Sequence, residues 1–222
     1  MKQNNGEQSV PYVIGITGTI ASGKSSAARY LQRRRQIPCI DADIVGHEVI
    51  EAMQEELAAE FGQEILDGGH VNRARLGAVV FADAERLQKL NAMTHPVICE
   101  RIRSWIRQQK APVVVLEAIE LLRSELKTMV QEVWVVDASP AVRIERMMRE
   151  RGLSREAAKA RINSQMAATE YRRQATHVLD GSADLAMLFE QCDRYLEEIE
   201  RKREDYEHSI RNDEGNFNNT TV

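Results

Sequence analysis

The sequence predicts an α/β fold of three layers, in which a mainly parallel five-stranded sheet is covered by helices on both faces. Short apolar runs alternate with long charged segments of helical periodicity, as in doubly wound sheets. The runs at 113–118 and 133–137 are rich in β-branched residues and lack polar alternation, which is typical of parallel strands buried on both faces. A glycine-rich turn follows the first apolar run, at the strand end where such sheets bind their ligands.

The strands and helices follow one another in a simple order along the chain. Strands are predicted at 12–17, 37–43, 113–118, 133–137 and 177–180, the last of these from the weakest pattern. Helical patterns fill the gaps at 24–35, 44–62, 73–80, 84–109, 140–151, 154–174 and 183–206. This alternation indicates crossover connections between parallel strands.

The spacing of the strands predicts one domain, residues 11–206, with two helical additions. Residues 44–111 are too many for a single crossover, so we expect a helical insertion that binds substrate. A helical lid is predicted at about 140–174. The core then consists of 11–43, 112–137 and 175–206. The polar ends, 1–10 and 207–222, are expected to be disordered.

Composition excludes several classes of protein. Of the 222 residues 43% are hydrophobic and 29% are charged, which is ordinary for a globular protein. The net charge of −4 argues against a nucleic-acid partner bound through a general positive field. The three cysteines fit no metal spacing and are expected to be reduced thiols. No membrane span or signal peptide is evident, so we expect a cytoplasmic protein, and a monomer.

The stretch Gly18–Ser25 fits the phosphate-binding pattern G-x-x-x-x-G-K-[ST] and lies between a predicted strand and a predicted helix. Gly18 and Gly23 let the backbone bring its N–H groups to phosphate oxygens. Lys24 can bridge the β- and γ-phosphates, which makes it a catalytic candidate, and the Ser25 hydroxyl can bind Mg²⁺. The alternative is a glycine turn capped by serines. The predicted phosphate-binding residues are Gly18, Thr19, Ile20, Ala21, Ser22, Gly23, Lys24, Ser25 and Ser26.

Two aspartates, Asp41 and Asp43, end the second predicted strand. The carboxyl ends of parallel strands face the ligand crevice, which puts these carboxylates near the γ-phosphate. One can orient Mg²⁺ through water, and one can accept a proton from an attacking hydroxyl. The alternative for Asp43 is a helix N-cap.

Arginines form a second cluster near the end of the helix at 140–151. Arg146 and Arg149 share a helix face through their i, i+3 spacing, and Gly152 precedes the next helix. A helical hairpin of this kind can close over a site and bring cations onto a transferring phosphate. Because glutamates are interleaved with the arginines, a solvated helix face is the alternative.

Other nucleotide-binding classes lack support in the sequence. It has no Asn-Lys-x-Asp guanine-reading motif and no strand that ends in the paired Asp-Glu of motor ATPases. A kinase is the third class to be considered, and features outside the phosphate-binding stretch must decide.

A series of motifs in order resembles the dephospho-coenzyme A kinase family of P-loop kinases. The resemblance covers about residues 12–200. The motifs are GITGTIASGKSS, IDADIVGHEV, FGQEILDGGHVNRARL, VVF, LNAMTHPVI, VWVVDASP, RMMRERG and RINSQ. The combination of D-A-D, the Asn-Arg segment and Thr-His-Pro is far more specific than the phosphate-binding pattern alone.

The resemblance implies an ATP- and Mg²⁺-dependent kinase that phosphorylates the ribose 3′-hydroxyl of dephospho-CoA. It implies a P-loop core with a helical substrate region and a lid. Asp43 looks like the base or orienter for the hydroxyl and, through water, a Mg²⁺ neighbour beside Ser25. Arg146 and Arg149 match the lid and would act on the phosphate. The residues that match the acceptor side of the family's site are Asp41, Arg73, His95, Arg161 and Gln165.

Two stretches depart from the family pattern. Many members carry Asp-x-Pro-Leu-Leu-x-Glu after the third strand, where this chain has LEAIELLRSEL at 116–126. Glu117 keeps an acidic group there, as a site residue or only as the end of a strand. Near the last strand, the family's Ala-Asp-x-x-Ile-x-Asn is replaced by residues 175–180, which lack the asparagine.

The departures leave two other functions open. One is another P-loop small-molecule or nucleoside kinase on the same core. The other is an ATP-binding regulatory protein with weakened transferase activity.

Overall fold

The computed structural model describes the backbone of residues 10–217 and the side chains of residues 10–204. The strands are β1 (Tyr12–Gly18), β2 (Cys39–Asp41), β3 (Leu66–Asp67), β4 (His70–Val71), β5 (Val113–Glu117), β6 (Glu132–Asp137) and β7 (His177–Asp180). Five of them form one parallel sheet in the order β2-β5-β1-β6-β7. The predicted sheet, its strand number and its parallel sense are therefore confirmed.

The helices confirm most of the predicted pattern. They are α1 (Lys24–Arg34), α2 (Ala42–Ala52), α3 (Gln54–Phe61), α4 (Arg73–Phe81), α5 (Ala84–Gln108), α6 (Pro140–Arg151), α7 (Arg155–Asn163), α8 (Ala168–Arg173) and α9 (Leu185–Phe217). Two predicted helices are each divided in two. Met53 separates α2 from α3, and the segment at 164–167 separates α7 from α8.

The sheet is buried on both faces because successive side chains along each strand point to opposite sides. On one face Ile14 and Ile16 pack with residues of α1 and α9. On the other face Val13 and its neighbours pack with residues of α2 and α5 and with Tyr171 of α8. The result is the predicted three-layer arrangement.

The insertion between β2 and β5 closes a small core of its own. The residues of this core come from α3, α4, β4 and the turn after α3, and they are Leu57, Ala58, Phe61, Ile65, Val71, Leu76 and Val80. The hairpin of β3 and β4 was not predicted. Its turn places Gly68 and Gly69 at φ +58 and +88, so the Asp-Gly-Gly-His stretch carried a hairpin signal that the helical periodicity around it obscured.

The chain ends only partly overlap the described region. The helix α9 is described as far as Phe217, and the predicted start of a disordered tail at 207 stays a prediction. Residues 1–9 and 218–222, where disorder was also predicted, lie outside the described residues. Over 10–217, no helix is both long and apolar enough to cross a bilayer.

The carboxyl ends of the five parallel strands meet at one edge of the sheet, and that edge carries polar residues. Gly18 ends β1, Asp41 ends β2 and Glu117 ends β5. Asp137 ends β6, and Asp180 ends β7. Connections leave every strand at this edge, so side chains from distant parts of the sequence converge there.

Gly18 has no room for a side chain, which generates a test of the fold. A Cβ there would lie 2.0 Å from the Val136 carbonyl oxygen, and the backbone has φ +148. We expect Gly18→Ala to destabilise the protein by about 2 kcal/mol or more, since backbone of β1 or β6 must move. Urea unfolding followed by circular dichroism measures the change.

Gly46→Ala is the matched control for Gly18→Ala. Gly46 lies inside α2 and a Cβ there makes only an ordinary contact of 3.6 Å with Ile98. We expect this change to be neutral or to stabilise the protein by about 0.5–1 kcal/mol, as alanine favours helix. Equal stability of the two variants would contradict the close approach of β1 and β6.

Candidate active site

The turn between β1 and α1 wraps around an open cavity. The cavity has a volume of about 460 Å³ and is lined by the whole of Gly18–Ser26. Gly23, at φ +110, is the N-cap of α1, and Ala21 also has a positive φ of 59. This backbone leaves the N–H groups at the N-terminus of α1 available for an anion, and the helix adds partial positive charge there. The phosphate-binding turn has the form that the sequence predicted.

Lys24 and Ser25 are both held by Glu117, at the end of β5. Lys24 Nζ donates to Glu117 Oε1 at 3.1 Å, and Ser25 Oγ donates to the same oxygen at 2.6 Å. The Lys24 and Glu117 side chains are 13% and 9% exposed. Of the two possibilities for Glu117, the structure supports the site residue, because its carboxylate contacts both groups that the motif dedicates to phosphate and metal.

Asp41 and Asp43 lie at the start of α2, which follows β2, the strand next to the one that ends in Glu117. Asp41 pairs with Glu117 in the β2–β5 register, and its Oδ1 accepts the N–H groups of Asp43 and Ile44. The N-cap is therefore Asp41 rather than Asp43. Asp43 belongs to the first helical turn and not to the strand, which leaves its carboxylate free of capping.

The pKa of Asp43 is raised above its usual value. Asp43 is exposed at the surface, yet desolvation by the surrounding protein is the largest cause, followed by the negative charge of Asp41; Glu117 acts in the same direction, while Lys24 and His47 oppose it. A raised pKa makes a carboxylate a better proton acceptor, which suits a general base. Lys24, Asp41 and Glu117 all carry charges that act on the Asp43 carboxylate.

Arg146 binds the carbonyl groups of the phosphate-binding turn. Its Nη1 donates to the carbonyl oxygens of Ala21 and Ser22, both at 3.1 Å, and its Nη2 donates to the carbonyl of Gly181 at 2.7 Å. The structure therefore does not place this guanidinium on a detached lid. Arg149 also lines the cavity, but it is 65% exposed and its Nη2 donates to Glu150.

Further side chains from the predicted lid region bind the same turn. Gln165 Oε1 accepts the Ile20 N–H at 2.7 Å, and Arg143 Nε donates to the Ile20 carbonyl at 3.0 Å. Sequence reasoning found Gln165 only through the family resemblance and missed Arg143. Arg143 is 3% exposed, and its burial depends on a contact with residue 20, which no local pattern of the sequence shows.

Asp137 connects α8 to the phosphate-binding turn through a second set of hydrogen bonds. Its Oδ1 accepts the Thr19 hydroxyl at 3.2 Å, and its Oδ2 accepts Arg172 Nε at 2.8 Å. The Asp137 side chain is 5% exposed, so the carboxylate is buried and fully paired. Neither Asp137 nor Arg172 was predicted as a site residue.

The remaining predicted residues lie away from the cavity. Arg73 begins α4 and His95 lies inside α5, both exposed, and neither lines the cavity next to the turn. Pro96, the neighbour of His95, lies in the middle of the 25-residue α5. Arg161 is exposed near the end of α7. The structure brings these three residues into no direct contact with Lys24 or Asp43 within the described side chains.

The stretch after β7 forms another wall of the cavity. Gly181 and Leu185 line it, and Gly181 approaches so closely that a Cβ would lie 1.9 Å from the Ser22 carbonyl oxygen. Thr176, which replaces the family's aspartate, accepts the Val133 N–H at 3.0 Å and so completes the sheet. The departure at 175–180 therefore falls partly on structural positions.

The donor set beside the turn fits Mg²⁺. Ser25 Oγ and the Glu117 carboxylate lie together, and Asp43 is close by; all three supply oxygen, the ligand that Mg²⁺ prefers. Within residues 10–204 no cluster of three or more His, Cys, Asp or Glu side chains forms a complete metal site.

Comparison with known proteins is consistent in sequence and in structure. The dephospho-CoA kinase family model matches residues 12–186. The dephospho-CoA kinase of Synechocystis is 40% identical over 79% of this chain and 90% of its own length. That of Lactobacillus johnsonii is 34% identical over 86% of this chain and 99% of its own length.

Solved structures agree with these relatives. A crystal structure of a Thermus thermophilus protein, 36% identical, matches 85% of this chain and 97% of its own with a TM-score of 0.77. The Campylobacter jejuni dephospho-CoA kinase, 23% identical, shares the fold with a TM-score of 0.60 over 86% of this chain and 98% of its own. With the phosphate-binding turn, the paired aspartates and these matches taken together, the chain belongs to the dephospho-CoA kinase family.

Proposed function

We propose that this protein transfers the γ-phosphoryl group of ATP to the ribose 3′-hydroxyl of dephospho-CoA, giving CoA and ADP. The observation that carries the proposal is the convergence of Lys24, Ser25 and Glu117 with Asp41 and Asp43 at one edge of the sheet. This convergence supports the proposal, because phosphoryl transfer needs a phosphate-binding turn beside a carboxylate that can accept a hydroxyl proton. Membership of the dephospho-CoA kinase family supports the choice of acceptor.

The turn binds the triphosphate of ATP. Backbone N–H groups at Gly23 and Lys24 lie at the N-terminus of α1, where the helix favours negative charge. Lys24 leaves Glu117 and turns to the β- and γ-phosphates. Arg146, Arg143 and Gln165 hold the peptide groups behind the turn, which keeps the donors aligned without reorganisation.

Ser25 and Glu117 would hold Mg²⁺, with Asp43 reaching it through water. When bound, the ion supplies positive charge to the phosphate oxygens and so stabilises charge in the transition state. The protein's own contribution is to place the Ser25 hydroxyl, at the N-terminus of α1, beside the Glu117 carboxylate, at the carboxyl end of β5.

Asp43 orients the acceptor hydroxyl and accepts its proton. The hydroxyl oxygen forms a bond to the γ-phosphorus while the bond between that phosphorus and the β–γ bridging oxygen breaks, and ADP leaves with the bonding electrons. Phosphoryl transfer depends mainly on positioning and electrostatics. The raised pKa of Asp43 assists only the proton transfer, which occurs late in the reaction. Arg149 lines the cavity and is exposed, so its guanidinium can leave the neighbouring Glu150 and approach the transferring phosphate.

The acceptor binds between the carboxyl edge and the helical insertion. Asp41, Arg73 and His95 are the proposed contacts, with Arg161 and Gln165 on the side of α7. Dephospho-CoA is long and anionic, and exposed cations on a separate helical unit suit it better than a narrow pocket. We propose that the protein works as a cytoplasmic monomer, where its three free cysteines stay reduced.

A direct assay separates the three candidate functions. ATP is supplied with dephospho-CoA or with a panel of nucleosides and nucleoside monophosphates, ADP release is followed by a coupled assay, and the product is identified by mass spectrometry. A 3′-phosphate on dephospho-CoA supports the proposal. Phosphorylation of a different acceptor favours another P-loop kinase, and ATP binding without any product favours a regulatory protein.

Asp43→Asn removes the proton acceptor while keeping the side chain's size. We expect kcat to fall by about 10²–10⁴-fold, with ATP affinity changed less than about threefold. Steady-state kinetics and calorimetric titration with ATP measure the two quantities. Glu48→Gln, an exposed change on the same helix, serves as the control and should leave both unchanged. An unaltered kcat in Asp43→Asn would remove Asp43 from the mechanism.

Lys24→Ala removes the ammonium group that bridges the phosphates. We expect kcat/KM for ATP to fall by about 10³-fold or more, since charge on the transferring group loses its main protein partner. The loss also leaves Glu117 without its ion-pair partner, so circular dichroism must show that the variant is folded. Normal turnover in a folded variant would contradict the phosphate-binding role of the turn.

Arg73→Ala tests the acceptor side of the site. Arg73 is exposed at the start of α4, so its loss costs little stability. We expect KM for dephospho-CoA to rise about tenfold while KM for ATP stays constant, because only the acceptor loses a cation. Arg86→Ala, on the same insertion, is the control. A shared rise in both KM values would indicate a general effect on the protein.

A further inference from the structure

Glu117 binds the same two side chains, Lys24 and Ser25, that a nucleotide and its metal would need, so it competes with the nucleotide for them. One carboxylate oxygen, Glu117 Oε1, accepts hydrogen bonds from both Lys24 Nζ and Ser25 Oγ. These are the groups that would contact a phosphate and its metal. A nucleotide that enters the cavity must therefore take Lys24 from Glu117, and it leaves that buried carboxylate without its ammonium partner.

Carboxylates outnumber ammonium groups around this pair. Asp41 and Glu117 both raise the pKa of Asp43, whereas Lys24 and the neighbouring His47 lower it, so all of these groups share one electrostatic environment. The arginines that line the cavity, Arg29, Arg146, Arg149 and Arg151, attract a nucleotide to its mouth. Arg146 does not replace the cation at Glu117, since its guanidinium is bound to the carbonyls of the turn.

The unpaired state of Glu117 is costly because the side chain is only 9% exposed. Burying a carboxylate without a partner and placing phosphate charge beside it are both unfavourable. A divalent cation that binds with the nucleotide removes both costs, as it neutralises the carboxylate and the phosphate together.

We propose that Glu117 makes nucleotide binding conditional on a divalent cation, so that the protein rejects metal-free nucleotide. This inference rests on the proposed function, namely that the turn binds ATP and ADP. Glu117 acts as a specificity-determining residue that reads the metal state of the nucleotide. In the absence of nucleotide, the same carboxylate holds Lys24 and Ser25 in place.

The experiment is calorimetric titration of the full chain with ADP, in excess Mg²⁺ and in EDTA. For the unaltered protein we expect binding in EDTA to be weaker by at least about tenfold. Glu117→Gln keeps the side-chain length and removes the charge. We expect its affinity for ADP in EDTA to rise at least about tenfold over the unaltered protein, while Mg²⁺ improves its binding little or not at all.

Two controls isolate the charge of Glu117. Glu120→Gln makes the same charge change at an exposed position three residues away and should retain the full effect of Mg²⁺. Glu117→Asp keeps the charge and shortens the side chain, and it should also retain discrimination against metal-free ADP. Thermal unfolding of each variant shows whether it is folded.

The outcomes separate this inference from the proposed function. The inference is overturned if the unaltered protein binds ADP equally in Mg²⁺ and in EDTA, a result that needs no variant to fold. It is also overturned if folded Glu117→Gln discriminates as the unaltered protein does. In either case formation of CoA from dephospho-CoA leaves the proposed function standing, whereas no ADP binding in either buffer overturns both.

Discussion

The peptide groups of the phosphate-binding turn need hydrogen-bond partners, and much of the structure is arranged to supply them. A turn that opens its N–H groups toward an anion cannot satisfy its own polar groups as a helix or strand does. Here Arg146 takes two carbonyls, while Arg143 and Gln165 take the carbonyl and the N–H of Ile20. Side chains from the helical segment after β6 thus bind the backbone of the turn and hold this segment against it.

The parallel sheet provides the second condition for a site. Every strand ends at the same edge, so β1 delivers the turn, β2 delivers Asp41, and β5 delivers Glu117 to one place. Burial of the strands on both faces makes this edge rigid. The chemistry then needs only a few side chains, each fixed by the register of its strand or by the first turn of a helix.

The sequence predicted the features that local patterns encode, and it missed those that depend on distant partners. The strands and the turn follow from apolar runs and motif spacing. The N-cap of α2 is Asp41 and not Asp43, so the boundary between β2 and α2 lies two residues earlier than predicted; hydrophobic periodicity cannot resolve a shift of this size. Glu117, Arg143 and Asp137 acquire their roles only through contacts across the fold, so no window of sequence shows what they bind.

The separate core of the insertion has a consequence for how such proteins diversify. Its apolar residues pack with one another around Phe61 and Leu76, and not with the sheet. Changes on its outer surface therefore do not require repacking beneath the turn. The outer surface of the insertion and the packing that supports the phosphate-binding turn can therefore vary independently of each other during evolution.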